Sequence, residues 1–462
     1  MWKPNLSDSQ RPMYEKIADA VISDINSGKL RAGELLPPHR ELAEELGISV
    51  GTISRAYKIL VDKNFVEAGA RRGTRVSKGL SHSPQSLKQG LSGHLPPHDL
   101  RGHLAAYSTW EAEVREAVAE IGRRQNIDDI LNYQAITGRE KHREAGAKWL
   151  EFTGNTESHV DEVVVFNGAQ HALTCTLLAT CSPGDIVATE RLTYAGLRVA
   201  APALGLRLLP LDIDDDGIIP EAFSEACNKH TIKALVCVPN MHNPTTNTMP
   251  LSRREEILEI AASNGLVVIE DDVYGGLMDK KIPSMFSISS DNVIRITGLS
   301  KTLGPGLRVG FAQAKQSIIS SLSTSLRATS WMATPLMAEV ATQLINSGRA
   351  EKALENNKAE LYTRNKILSE ALEGFNLSTA RYGTHAWLKL PPAWTRSDFA
   401  LWSQDSGIKT LMADAYIVGD ATVDEATRIS VSAARSEAAL RDAAQRINSA
   451  LKRPPEKSST LL

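Results

Sequence analysis

The chain of 462 residues carries four cysteines and no CxxC pair. Cys175, Cys181, Cys227 and Cys237 offer neither a disulfide framework nor a zinc spacing, so no metal is expected and the thiols read as reduced. No apolar run approaches the roughly 18 residues a membrane helix needs. The start, Met1-Trp2-Lys3-Pro4, lacks the apolar segment of a secretory leader. No membrane partner is expected, and the chain reads as soluble and cytoplasmic. A net charge of −2 excludes a global attraction to nucleic acid, so any such surface must be local. No internal repeat is evident. The length implies two or three domains, and 42% apolar residues suffice for a large core.

What is present begins with a local charge. Residues 53 to 78 hold seven Lys/Arg (Arg55, Lys58, Lys63, Arg71, Arg72, Arg75, Lys78) against Asp62 and Glu67. Upstream, Tyr14, Ile17, Val21, Ile22 and Ile25 have the spacing of an amphipathic helix over 12–27, opened by Pro12 and closed by Gly28. A second helix is expected over 40–46, ending at Gly47. Ser49 can cap a third from Val50 to about Lys63, with Ile53, Ala56, Tyr57 and Leu60 on one face. Phe65-Val66-Glu67 and Thr74-Arg75-Val76 read as strands. Helix, glycine turn, helix and hairpin make a winged helix-turn-helix (α+β). Thr52, Ser54 and Arg55 would lie on the exposed face of the third helix, where such a helix meets base edges. Arg71 and Arg72 at the hairpin tip suit phosphate or minor-groove contact. The expected partner is double-stranded operator DNA.

This stretch resembles the GntR family of bacterial regulators over residues 11 to 77. The resemblance rests on Pro12-Met13-Tyr14, Gly28-Lys29-Leu30-Arg31-Ala32-Gly33, Leu36-Pro37-Pro38-His39-Arg40-Glu41-Leu42-Ala43, Arg55-Ala56-Tyr57 and Arg72-Gly73-Thr74. It implies Arg40, the start of the third helix at Ser49 and the wing as DNA contacts. His39 departs from the serine common before that arginine.

Residues 1–78 form the expected head. Residues 79–104 read as a linker of Ser, Gly, His and Pro, and 451–462 as a disordered tail. Over 105–450 short apolar strands alternate with helical segments: 163–166, 185–188, 234–238, 266–269 and 293–296, with a helix over 252–262. That pattern predicts a large α/β domain with a mostly parallel sheet, whose ligands bind at the carboxyl ends of the strands.

Each strand end carries a distinctive group. The first is followed by Asn167-Gly168-Ala169-Gln170, a glycine turn into a helix N-terminus suited to phosphate. The second is followed by Tyr194, which can stack on a planar ring. The third leads to Asn243, held extended by Pro244 and able to donate to a ring oxygen. The fourth leads to Glu270-Asp271-Asp272-Val273-Tyr274, where a buried acid would need a cation. The fifth leads to Ser300-Lys301, then a turn at Gly304-Pro305-Gly306 and Arg308. One ligand matches them all: pyridoxal 5'-phosphate. Lys301 would form the Schiff base and Asp271 would keep the pyridine nitrogen protonated. Asn243 and Tyr274 would hold the ring oxygen, and Gly168, Ala169, Ser300 and Arg308 the phosphate, with Gln170 also expected to bind the cofactor.

This half is similar to the class I, fold-type I aminotransferases, through Asn167-Gly168-Ala169-Gln170, Asn243-Pro244-Thr245, Asp271 to Tyr274, Ser300-Lys301 with Arg308, and Arg428-Ile429-Ser430. The resemblance implies Arg428 as the partner of an effector carboxylate, Tyr133 as reaching the neighbouring subunit's phosphate, and a homodimer. Gly298 stands where that family has Ser or Thr. A GntR-like head on such a body resembles the MocR subfamily of regulators. The expectation is a regulator in which an amine or amino-acid effector reacts with the lysine-bound cofactor and alters operator binding, with at most partial transamination. The alternatives are a working aminotransferase with an accessory head, and a sensor of the cofactor itself.

Overall fold

The computed structural model describes residues 2–4, 12–26, 30, 34–62, 65–69, 73–76, 98–102, 110–125, 127–155, 157–453 and 455. The chain divides into two compact units, Met1–Gly90 and Leu91–Leu462.

In the first unit, α1 (Met13–Asn26), α2 (His39–Leu46) and α3 (Val50–Asp62) precede an antiparallel hairpin of β1 (Val66–Gly69) and β2 (Gly73–Val76). The stripe read from the sequence is the stripe that packs: Ile17, Val21 and Ile25 meet Ile53, Ala56, Tyr57 and Leu60, with Leu42, Val66 and Val76 closing the core. Gly47 ends α2 in the left-handed conformation (φ 65°) that glycine adopts without penalty. Ser49 caps α3, accepting from Thr52 N at 3.2 Å.

The second unit is built on a seven-stranded sheet. Its strands are β3 (Val163–Phe166), β4 (Ile186–Glu190), β5 (Arg207–Leu211), β6 (Ile232–Cys237), β7 (Val267–Asp271), β8 (Val293–Gly298) and β9 (Gly310–Gln313), in the order β3-β9-β8-β7-β6-β4-β5. The sheet is parallel except for β9, which runs against both its neighbours. Helices including α4 (Glu140–Gly154), α5 (Ala169–Thr180) and α6 (Leu251–Ser263) cover its faces, and the strands are apolar on both sides as a covered parallel sheet requires. A smaller antiparallel sheet follows, β10 (Leu377–Thr379), β11 (Ala386–Lys389), β12 (Leu411–Met412) and β13 (Ala426–Ile429), in the order β10-β11-β13-β12.

Three expectations shift. Glu270 and Asp271 lie within β7 rather than after it. The end of the expected linker, residues 98–102, belongs to the second unit: Leu100 is buried, its N–H donates to Lys409 O at 2.8 Å and its carbonyl accepts from Ser430 N at 2.9 Å. The last helix ends at Leu451, where the tail was expected to begin, and residues 456–462 lie outside those described.

Candidate cofactor site and DNA-binding face

β8 ends at Gly298 and β9 returns from Gly310, its register partner, so residues 299–309 connect two adjacent antiparallel strands. That reversal brings Lys301 and Arg308 to the same edge of the sheet. Arg308 adopts φ 50° and ψ 47°, a left-handed backbone that costs a non-glycine residue about 1–2 kcal/mol. Its guanidinium turns back over the loop after β3, with Nη2 3.5 Å from Asn167 O. Gly168 (φ 87°) leaves room for it, because a Cβ there would stand 2.7 Å from Arg308 Nη2. The same turn opens α5, whose first N–H groups have no carbonyl four residues back. A Cβ on Gly310 would stand 2.6 Å from Ala169 N, so glycine here lets the helix start rest on the sheet. The first N–H groups of α5 and the Arg308 guanidinium thus meet at one edge of the sheet, an arrangement suited to an anion, and the half-buried Ser300 lies in the same connection as Arg308. The Gln170 side chain donates from Nε2 to Gly196 O at 3.2 Å.

The three consecutive acids separate by their partners. All are buried. Glu270 accepts from the N–H groups of Met285 and Phe286 at 2.9 and 3.2 Å and has Arg254 at 3.9 Å. Asp272 accepts from Arg295 Nη2 at 2.6 Å and from Asn240 Nδ2 at 2.7 Å. Asp271 has no guanidinium among its described partners, and its Oδ1 is buried with no hydrogen-bond partner. Burial, then the Asp272 charge, pushes its carboxyl up to about 7. The Lys301 ammonium is pushed down to about 7 by burial, then by the charge of Arg428, with Asp271 opposing. Asn357 Nδ2 fixes the lysine's main chain, donating to Lys301 O at 2.7 Å.

Around this pair stand the other expected residues. Tyr274 is 2% exposed with its ring 5.8 Å from that of His385. Burial, then the Asp271 charge, raises the Tyr194 hydroxyl to about 12, with Arg308 and Arg428 opposing. Arg428, on β13, donates from Nη1 to Asn243 Oδ1 at 3.0 Å and from Nη2 to Arg101 O at 2.6 Å, while its Nε is buried with no partner. Tyr133 stands apart, 77% exposed, with its ring 6.0 Å from Trp331. At Gly298 a Cβ would meet Val309 O at 3.2 Å and Ala169 Cβ at 3.6 Å. Thr297 does not replace the missing hydroxyl, since its own donates to Asp272 O at 3.1 Å.

Sequence reading missed the supports. Arg295 was read as part of an apolar strand, yet it is fully buried, bound to Asp272, to Leu150 O at 2.9 Å and to Thr153 Oγ1 at 3.1 Å. Arg254 reaches Asn240 Oδ1 at 2.5 Å and Met249 O at 3.0 Å. The available signal was an arginine inside a run of β-branched residues, which must find a buried partner.

In the head, Arg40, Ser49 and Arg55 are exposed, and Thr52 and Ser54 are half-buried. Ser49 Oγ and Thr52 Oγ1 are 2.9 Å apart. His39 explains its own departure from serine. Its Nδ1 is 3.0 Å from Ser54 Oγ and its ring packs edge-on at 4.6 Å against Tyr57, tying α2 to α3. The Ser54 hydroxyl is therefore already engaged. Arg71 and Arg72 lie outside the described residues.

A winged helix-turn-helix joined to an aminotransferase-type body defines a DNA-binding regulator built on an enzyme fold. The chain belongs to the aminotransferase class I and II family, matched over residues 105–447, and residues 13–76 match the gntR family of bacterial regulatory proteins, the pairing of the MocR subfamily. That aminotransferase family depends on pyridoxal phosphate. The chain is 29% identical to an uncharacterized HTH-type transcriptional regulator, YdeF, of Bacillus subtilis, over 94% of this chain and 93% of that protein. It is 28% identical to the vitamin B6 salvage pathway transcriptional repressor PtsJ of Salmonella typhimurium, covering 81% of this chain and 85% of that one. The fold matches an archaeal alanine:glyoxylate aminotransferase with a TM-score of 0.74 at 21% identity, over 86% of this chain and 98% of that one. No helix among the described residues is long and apolar enough to cross a membrane.

Proposed function

We propose that the body holds pyridoxal 5'-phosphate on Lys301, and that an amine or amino-acid effector reacting there alters operator binding by the head. The observation that carries this is Asp271. Its neighbours Glu270 and Asp272 have arginine counter-charges, whereas Asp271 Oδ1 is buried and unpartnered beside a lysine brought down to about 7. Such a carboxylate fits a protonated ring nitrogen.

When bound, the cofactor supplies an electrophilic carbonyl and an electron-accepting ring. The rest is done by the chain. Lys301, with a depressed pKa, presents a neutral amine near neutral pH. Asp271 holds a proton at the ring nitrogen. Tyr274 and Asn243 face the ring oxygen, and Tyr194 packs on the ring. The phosphate falls to Ser300, Arg308 and the α5 N-terminus, with Tyr133 serving the neighbouring subunit of a homodimer. Arg428 grips the effector carboxylate, a match of planar forks. Residues 79–104 carry the change to the head, whose Arg40, Ser49, Thr52, Ser54, Arg55, Arg71 and Arg72 engage the operator.

The test begins with duplexes enriched from a randomised DNA pool. Their affinity for cofactor-loaded protein is measured with and without each amine that changes the visible absorbance. Affinity should change with at least one of them. If no amine that perturbs the absorbance moves DNA affinity, and an amino acid with a keto-acid acceptor turns over repeatedly, the protein is an aminotransferase with an accessory head.

A second reading, sensing of the cofactor itself, is favoured by Gly298, which withholds a hydroxyl from the anion cradle. A relative named as a vitamin B6 salvage repressor points the same way. It predicts that unloaded and loaded protein differ in DNA affinity with no amine added.

A further inference from the structure

The arginine that would grip an effector carboxylate is also the arginine that holds the chain leading in from the head. Arg428 Nη2 donates to the main-chain carbonyl of Arg101 at 2.6 Å. Arg101 lies in the segment 98–102, the first described stretch after the head. This segment lies along the small sheet: Lys409 N donates to His98 O at 3.0 Å, Leu100 N to Lys409 O at 2.8 Å, and Ser430 N to Leu100 O at 2.9 Å. Asp99, 1% exposed, clamps the Arg101 side chain through Nε at 2.9 Å and Nη2 at 2.6 Å. The segment is thus built into the body, and the Arg101 carbonyl sits on the sensor arginine.

Two of the three Arg428 nitrogens are engaged before any effector arrives. Nη1 is on Asn243 Oδ1, Nη2 is on Arg101 O, and only the buried Nε lacks a partner. Both edges at which a guanidinium takes a carboxylate at two points, Nε with Nη2 and Nη1 with Nη2, include Nη2, so such a carboxylate competes with Arg101 O for that nitrogen. A carboxylate is a stronger acceptor for a guanidinium than a peptide carbonyl is.

We infer, resting on the role just proposed for Arg428, that an effector carboxylate displaces Arg101 O from the fork and loosens segment 98–102. The carboxylate, rather than the amine, is then the part of the effector that signals to the head. The effector class narrows to amino acids. A plain amine reacts at Lys301 without being passed on.

The test uses the full-length, cofactor-loaded protein and hydrogen exchange at the amides of Leu100, Arg101 and Ser430. The common amino acids are screened by absorbance, and each responder is paired with its decarboxylated amine. Both members should change the absorbance. Only the amino acid should speed exchange at these amides, by about tenfold, and only it should alter DNA affinity. Equal exchange with amine and amino acid overturns the inference, as does an absorbance change by the amino acid with no change in exchange. A second arm is independent of any ligand: Arg428→Gln, checked for native circular dichroism, should show the same acceleration on its own, and Arg428→Lys a smaller one. Unaltered exchange in Arg428→Gln overturns the inference. If no amine or amino acid changes the absorbance, the cofactor reading fails, and this second arm alone decides whether Arg428 holds the segment.

Discussion

Arg55 in the head and Lys301 in the body are both cations offered to a ligand, and they are held in opposite ways. Arg55 is exposed on α3, where water screens it and its charge is fixed. Its attraction to a polyanion is long in range and falls with salt. Lys301 is half-buried just beyond the end of β8, and burial has brought its ammonium down to about 7. The head keeps charge in water so that DNA can find it. The body removes charge from water so that a neutral amine exists near pH 7. The cost of that removal is visible in the frame around it, where Arg295 and Arg254 are buried to neutralise the acids on either side of Asp271.

The contrast breaks first at Lys301→Ala. Cofactor added to this variant should leave no chromophore trapped by borohydride, a complete loss, while DNA binding without effector stays within about twofold. Arg295→Ala comes next. It would leave Asp272 buried without its guanidinium, a change that typically costs about 3–5 kcal/mol, read as a lower denaturation midpoint of the body. Exposed Arg55→Ala should stay within about 0.5 kcal/mol in the same assay. Its effect belongs elsewhere: operator affinity should fall about tenfold or more and the salt slope should shrink by about one, with the cofactor absorbance unchanged. An Arg55→Ala protein that binds the selected duplex undiminished would remove α3 from the groove.

The next effect is smaller and tests the burial of Lys301 directly. With the amine titrating near 7, the neutral fraction rises from about one-tenth at pH 6 to about nine-tenths at pH 8. Condensation of the unloaded protein with pyridoxal phosphate should accelerate about tenfold across that window. The Asp271 carboxylate raises the lysine's pKa, so Asp271→Asn should move the midpoint towards acid. A midpoint near 10 would return Lys301 to the company of solvated cations such as those of the head.

Much of this contrast was legible because both units are written in local code. In the head the stripe of Ile17, Val21 and Ile25 and the cap at Ser49 specify helices without long-range information. In the body the apolar runs marked strands. The rest depends on pairings that sequence does not carry. β9 is four residues long and begins with glycine, so its reversal, which returns Arg308 to Gly168, is decided by its neighbours β3 and β8. β5 contains Pro210 and is tolerated because it is the edge strand. Glu270, Asp271 and Asp272 are alike on paper. Only the positions of Arg254 and Arg295, on other elements, single out the middle one. The segment 98–102 looked like linker because its order comes from Lys409, Arg428 and Ser430, more than 300 residues away.

A further effect is expected at Gly298, where the anion site of the body lacks a side-chain hydroxyl. Gly298→Ser adds a hydroxyl facing the start of α5. Its Cβ would stand 3.2 Å from Val309 O, a contact that a shift of a few tenths of an ångström relieves. A hydrogen bond to a charged group contributes about 1.5–3 kcal/mol, and the tight fit returns part of it. Cofactor retention, measured by dialysis of the loaded protein, should therefore lengthen by severalfold and by less than about a hundredfold. If the native glycine serves to let the cofactor leave, the same variant should also lose whatever difference in DNA affinity exists between unloaded and loaded wild-type protein at low cofactor concentration. Retention that is unchanged or shortened would mean that the hydroxyl cannot reach the anion, and that the glycine is there only for the close approach of sheet and helix that Gly310 already secures.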